Sequence, residues 1–224
     1  MRLLLPLILT ILPLPAAACG LALVLAVDVS GSVDQREYRI QMDGLAEALR
    51  DGIVVDALID QGAQVSLIQW SGSSRQEVSV PWTQLTRVVD VYRLADAIEA
   101  APRRWRNYST AIGEALALAI AAFEDLEKTT ACDRRVIDVS GDGVSNEGPS
   151  PQSMRQALRR AAINVNALAI EEEGEDLTAY FYENLIDGEG AFVITANGFQ
   201  DYPAQIRRKL QRETTKQLSR LLPH

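Results

Sequence analysis

The run from Leu21 to Ser32 changes abruptly from apolar side chains to three oxygen-bearing ones, Asp28, Ser30 and Ser32, spaced by single residues. An apolar segment of this kind predicts a strand buried on both faces, and the carboxyl ends of such strands are where open α/β sheets gather ligands. A carboxylate and two hydroxyls meeting there are hard donors suited to a hard divalent cation. The run offers no nucleophile with its own base and no phosphate cradle, so metal-dependent binding is the first reading and catalysis the second.

Two later positions also carry side-chain oxygens next to an element boundary. Thr110 opens the segment TAIGEAL, and Asp142 sits in a Gly-Asp-Gly turn after the apolar stretch RRVIDVS. A single Ser or Asp at a strand end is usually a turn or helix cap, and Ser32 or Asp34 is placed to cap the helix that follows. Five such residues across three separated segments make chance a poor explanation. Asp138 lies four residues before Asp142, inside the strand, and reads as a hydrogen-bonded structural group.

The elements that must position these residues alternate in period. Tyr38, Met42, Leu45 and Leu49 recur at helical spacing, predicting a helix over about 34–50. Segments 64–72 and 75–82 flank a Gly-Ser turn and predict a hairpin with its second strand at a sheet edge. Helices are expected over 83–100 and 110–127, a strand over 134–143, and a helix from Pro149 and Pro151 to about 162. Then come a strand over 163–170, a helix over 177–187 and a strand over 191–196. A closing helix runs through Ile206, Leu210 and Leu218, basic on its outer side. The alternation predicts an α/β fold: a doubly wound, mostly parallel six-stranded sheet with one antiparallel edge strand and helices on both faces. Trp70, Trp82 and Trp105 read as core or rim packing, with flanking of the site as the alternative for Trp105 and Tyr108.

With order, spacing and context in place, Asp28-Val29-Ser30-Gly31-Ser32, Thr110 and Asp142-Gly143 resemble a von Willebrand factor type A (vWA) domain with a complete metal-ion-dependent adhesion site (MIDAS). The resemblance spans roughly residues 21–200. Within that superfamily the chain resembles a bacterial group of exported single-domain proteins of unassigned function. The resemblance implies that Ser30 and Ser32 bind the ion through their hydroxyls, and Thr110 directly or through water. Asp28 and Asp142 would hold coordinated waters and balance charge, leaving one position for an Asp or Glu carboxylate of a protein partner. Mg²⁺ suits such a site, with Mn²⁺ or Ca²⁺ as alternatives. The segment Asn107-Tyr108-Ser109 departs from the pattern, since the family often has Gly before the threonine.

Residues 1–18 read as a secretory signal: Arg2, an apolar run, then Ala16 to Ala18 as a small-residue cleavage site. This leaves 19–224 as one vWA-like domain, periplasmic or secreted, with no stable membrane span after cleavage. The competing reading is a membrane anchor, which Pro6, Pro13 and Pro15 interrupt. The two cysteines fall nine residues before Asp28 and ten before Asp142. If those strands are parallel neighbours, Cys19 and Cys132 lie within disulfide reach. Alternatively Cys19 is the lipidated first residue of a lipoprotein, although Ala16 stands where such signals usually carry Leu.

A formal charge of −8, one unit more acidic once Arg2 is removed, argues against nucleic acid as a partner. Oligomeric state leaves no signature. The acidic run EEEGED at 171–176 follows a strand and falls on the same sheet edge as the candidate site; such runs are usually solvated loops, and the alternative is that it disfavours strongly acidic partners. Two rivals to an adhesion-type domain remain. A Mg²⁺-dependent phosphatase or phosphotransferase of haloacid dehalogenase type would use Asp28 as nucleophile, but needs an acid two residues later, where this chain has Ser30. A structural exported domain with no working metal site is the other. A Ser-His-Asp hydrolase is weaker still, because the only histidine is His224 at the chain end.

Overall fold

A computed structural model describes residues 19–172 and 176–215. The expected signal segment 1–18, residues 173–175 of the acidic run and Leu218 lie outside the described residues. In chain order the elements are β1 (Ala22–Asp28), α1 (Gln35–Leu49), α2 (Gly52–Asp60), β2 (Gln64–Trp70), β3 (Gln76–Gln84), α3 (Val88–Glu99) and α4 (Ile112–Glu127). They continue with β4 (Arg135–Gly141), α5 (Pro151–Arg160), β5 (Ile163–Glu171), α6 (Leu177–Asn184), β6 (Val193–Asn197) and α7 (Tyr202–Thr214).

The strands form one six-stranded sheet in the order β3-β2-β1-β4-β5-β6. All neighbours are parallel except the pair β2 and β3, as the hairpin reading requires. The chain leaves β1 for β2 on one side and later enters β4 on the other, so the winding reverses at the β1/β4 seam. Helices on opposite faces diverge at such a reversal and leave a crevice at the carboxyl ends of the strands. Asp28 ends β1 and Asp142 follows β4, so both flank that crevice.

Every residue of β1 is buried. Leu23, Leu25 and Val27 join residues of α1, α2, α3 and α7 in one apolar cluster. The alternate positions Ala22, Val24 and Ala26 join residues of α4, α5 and α6 in the other. A central strand coated on both faces explains the continuous apolar run, each buried Leu or Val contributing about 1.5–3 kcal/mol. In α1 the periodic residues Tyr38, Met42, Leu45 and Leu49 are all buried.

Three departures from the sequence pattern have physical causes. Helix α2 has no counterpart among the expected elements: Asp51-Gly52 resembles a turn, yet the Asp51 carboxylate accepts from Ile53 N at 3.1 Å and Val54 N at 3.4 Å and caps a helix. It buries Val54, Val55 and Leu58. Strand β3 continues to Gln84 and α3 starts only at Val88, later than expected; Pro81 is accommodated because β3 is an edge strand with irregular register. On α7, Arg207, Arg208 and Arg212 are exposed as expected, but Lys209 is fully buried. Its ammonium lies 2.6 Å from Asp138 Oδ1 and 2.9 Å from Glu213 Oε2.

Cys19 and Cys132 form a disulfide with Cα atoms 4.5 Å apart, joining an isolated parallel bridge just before β1 and β4. Among the described residues no helix is long and apolar enough to cross a membrane.

Candidate metal centre

The first loop of the site is set by a division of labour between Ser32 and Asp34. Asp34 caps α1: its Oδ1 accepts from Arg36 N at 2.7 Å and Glu37 N at 2.8 Å, while Glu37 Oε2 accepts from Asp34 N at 2.6 Å. This capping box satisfies the orphan N–H groups of the first turn and leaves Ser32 free. The Ser32 hydroxyl instead donates to Asp142 Oδ1 at 2.8 Å and lies 3.2 Å from the Ser30 hydroxyl. Asp28 Oδ1 accepts from Ser30 N at 2.7 Å, which folds the Asp-x-Ser turn back on itself.

The other Asp28 oxygen, Oδ2, is buried and has no hydrogen-bond partner. Gly141 makes room for it: a Cβ there would stand 3.0 Å from Asp28 Oδ2 and 3.4 Å from the Trp70 ring. Trp70 is fully buried and forms the floor beside this carboxylate, in keeping with a packing role. Burial, and then the charge of Asp142, push the Asp28 carboxyl up to about 8. Asp142 is also raised, by burial first, with Ser32 pulling it back down and Glu172 pushing it up. Two acids held at such proximity in a poorly solvated place fit a site completed by positive charge.

Thr110, only 6% exposed, presents its hydroxyl towards Gly143, 3.8 Å from where a Cβ would stand there. The site therefore draws together Asp28, Ser30, Ser32, Thr110 and Asp142 from three loops. Asp28 and Ser30 are fully buried and Ser32 is exposed, so the cluster opens outward. Among the described residues no group of three or more His, Cys, Asp or Glu side chains could hold a metal. A cation here would depend on hydroxyls as well as acids, and the unpartnered Asp28 oxygen in the same loop as the paired Ser30 and Ser32 hydroxyls fits that donor set.

The loop before Thr110 lies across the first one. Gly31 N donates to Tyr108 O at 2.8 Å, and Arg103 Nη2 donates to Val29 O at 3.1 Å and Ser30 O at 2.8 Å. Asn107, in the segment that departs from the family pattern, takes φ +59°, a left-handed conformation that Asn tolerates better than most residues. Tyr108 is exposed and carries the Arg75 guanidinium 3.7 Å from its ring centroid, on the rim of the site; Trp105 packs against the core. Glu172 sits close enough to Asp142 and Glu37 to raise both.

Nothing in the sequence pattern singles out Arg103, Ser145 or Asn146, although all three bond to the loops of the site. Asp138 is not part of the cluster; it faces Lys209 on the other side of β4.

Across 86% of its length the chain superposes on 47% of proximal thread matrix protein 1 from the mussel byssus, with TM-score 0.66 and 19% identity. A form of that protein with a zinc-occupied MIDAS motif superposes at TM-score 0.60 and 15% identity, over 89% of this chain and 47% of that one. The pilus adhesin SpaC from Lactobacillus rhamnosus GG, in an open conformation, gives TM-score 0.65 and 14% identity, over 89% of this chain and 30% of that one. A von Willebrand factor type A protein from Catenulispora acidiphila gives 0.58 and 19%, over 88% and 42%. The chain thus spans about half or less of these proteins, and the likeness establishes the vWA fold. No curated protein matches it. The family model described as protein of unknown function (DUF1194) matches residues 18–218, so the chain belongs to that family, built on the vWA fold.

Proposed function

We propose that this protein is an exported, metal-dependent protein-binding domain whose site takes a divalent cation and, through it, a carboxylate of a partner. Ser30, Ser32 and Thr110 supply hydroxyl ligands, Thr110 directly or through water. Asp28 and Asp142 balance the charge and hold water. Mg²⁺ is the expected ion, with Mn²⁺ or Ca²⁺ as alternatives, because every donor is a hard oxygen. With few anions contacting it directly, the ion stays electrophilic and attracts an Asp or Glu of the partner.

The observation that carries this reading is Asp28 Oδ2, an acid oxygen buried without a hydrogen-bond partner beside the Ser30, Ser32 and Asp142 cluster. A buried acceptor left unsatisfied is costly, and a cation-bound water is a chemically apt partner for it. The MIDAS named in the zinc form of the mussel protein supports the same reading by fold analogy. Export rests on the signal-like segment 1–18 and on the Cys19–Cys132 disulfide, which suits an oxidising compartment such as the periplasm or the exterior. On this reading residues 19–224 are the mature domain, and the protein is not an enzyme: Ser30 stands where a dehalogenase-type phosphatase needs its second acid.

Affinity capture from the native cell envelope, run with Mg²⁺, with chelator, and with the Ser30→Ala/Ser32→Ala variant as bait, tests the proposal. Proteins retained only by the wild type with Mg²⁺ are the expected result. Metal-dependent turnover of generic phosphate esters that disappears in Asp28→Ala would replace it with the phosphatase reading.

A further inference from the structure

Thr110 is held far more tightly than a loop residue needs to be. Its N–H donates to Asn146 Oδ1 at 2.9 Å, and its carbonyl accepts from Asn146 N at 2.9 Å, so one asparagine grips both sides of the Thr110 backbone. Glu147 N at 3.3 Å and the Ser145 hydroxyl at 3.4 Å also donate to that carbonyl. Both neighbouring residues are fixed from the opposite direction: Ala111 N donates to Ser71 O at 2.9 Å, and the Ser71 hydroxyl donates to Ser109 O at 3.3 Å.

The helix that Thr110 introduces adds to this. The N-cap of α4 is Ala111, which has no side chain able to cap. An uncapped helix start leaves orphan N–H groups. Ile112 N donates instead to Ser145 Oγ at 3.3 Å, so the cap comes from across the site. The segment that carries Ser145 and Asn146 is itself clamped. Ser145 N donates to the Tyr180 hydroxyl at 3.2 Å, and Ser73 N donates to Glu147 Oε2 at 2.9 Å. A Cβ on Gly113 would stand 2.1 Å from Pro149 O, so only glycine lets α4 approach that segment.

We infer that Asn146, supported by Ser145, is the positioning residue that holds Thr110 towards the cation and locks the Thr110 loop to the Asp142 loop as one unit. Asn146 lies four residues after Asp142, so the segment that delivers one acid also fixes the third hydroxyl. The inference rests on the metal-binding reading above. It adds that the Thr110 segment is held by bonds from the Asp142 segment. Partners of metal ligands that act in this way typically alter affinity 10–100-fold when removed.

Mn²⁺ alone is the probe, followed by electron paramagnetic resonance titration of the full-length mature protein. Asn146→Leu is expected to weaken Mn²⁺ binding about tenfold. In a Thr110→Val background, where the hydroxyl is already gone, the same change is expected to have no further effect. An Asn146→Leu protein with wild-type Mn²⁺ affinity, or an equal loss in both backgrounds, would overturn the inference. Unfolding midpoints in chelator report whether the variant folds; if it does not, Ser145→Ala is carried through the same cycle and judged by the same outcomes. Wild-type protein that binds no Mn²⁺, or binds it equally well after Ser30→Ala/Ser32→Ala, would fail the metal-site reading itself. That result is distinct from loss of the Asn146 effect alone.

Discussion

Ser32 and Asp142, 110 residues apart in the chain, are joined by a hydrogen bond of 2.8 Å from the serine hydroxyl to Asp142 Oδ1. It crosses the β1/β4 seam at the point where the sheet reverses its winding. A Ser that serves only as a helix cap would bond to its own helix; here Asp34 does that, and Ser32 reaches the other strand.

Ser32→Ala should therefore show two separable losses. In chelator it removes the exposed hydrogen bond to Asp142 and the part-buried one with Ser30, and urea unfolding should report a cost of about 1–2 kcal/mol. With Mn²⁺ at a hundred times its dissociation constant, the wild type should gain about 2.7 kcal/mol from preferential binding to the folded state. The variant should gain much less. Equal stabilisation of both proteins by Mn²⁺ would show that the ion binds elsewhere.

How far the sequence discloses this arrangement depends on how local each signal is. Asp28, Ser30 and Ser32 lie on one turn, and strand-end placement suffices to put Asp142 beside them. The cysteine pairing was legible for the same reason, because both residues precede parallel neighbours by similar distances. Helix α2 was hidden because Asp51-Gly52 has the composition of a turn and only the cap geometry makes it a helix start. The inward turn of Lys209 was hidden more deeply. A lysine on an amphipathic helix normally faces water, and its partner Asp138 belongs to a strand far away in sequence. Ser145 and Asn146 carry no pattern at all, since their side chains bond main-chain groups of Thr110 and Ile112, far away in sequence.

The Cys19–Cys132 disulfide ties together the starts of the two strands whose ends carry Asp28 and Asp142. A closed loop with a sequence separation of 113 residues is expected to contribute about 4 kcal/mol by constraining the unfolded chain. Urea unfolding of the oxidised protein and of Cys19→Ser/Cys132→Ser should differ by about that amount. Intact mass of the exported protein decides the chemistry of Cys19. Loss of two hydrogens is expected, and an added diacylglyceryl mass would identify the lipoprotein alternative.

Lys209 has the two acids Asp138 and Glu213 for company inside the sheet-to-α7 interface. Asn166 donates to Glu213 Oε1 at 2.8 Å, and the Lys209 ammonium lies 5.4 Å from the Phe192 ring centroid. Removing one member of a buried ion cluster strands its partners, which costs about 3–5 kcal/mol. Lys209→Met should lose about that much by urea unfolding above pH 8, where Asp138 is ionised. Lys209→Met combined with Asp138→Leu and Glu213→Leu should recover most of the loss, because an apolar replacement of the whole cluster leaves no charge uncompensated. A triple variant as unstable as the single one would mean that shape, rather than charge, sets the cost.

The same cluster predicts a pH dependence. Burial pushes Asp138 up to about 8, with Lys209 pulling it down and Glu213 pushing it further up. For Lys209 burial works downward, but Asp138 and then Glu213 outweigh it and hold the group above its ordinary value. Tyr202, fully buried nearby, is raised by burial and by the Asp138 charge. A carboxyl whose folded-state pKa exceeds its ordinary 3.8 binds its proton more tightly when folded. The stability it contributes is fully present below about pH 4 and is lost as pH rises towards about 8. Asp28 is raised to a similar value, so wild-type unfolding alone would mix two groups. The comparison that isolates Asp138 is Asp138→Asn against wild type, both in chelator at pH 5 and pH 8. Asparagine stands in for the protonated acid and cannot ionise, so the variant should lose less stability between the two pH values. Parallel losses in both proteins would mean that Asp138 is already ionised at pH 5, with Lys209 holding its charge throughout.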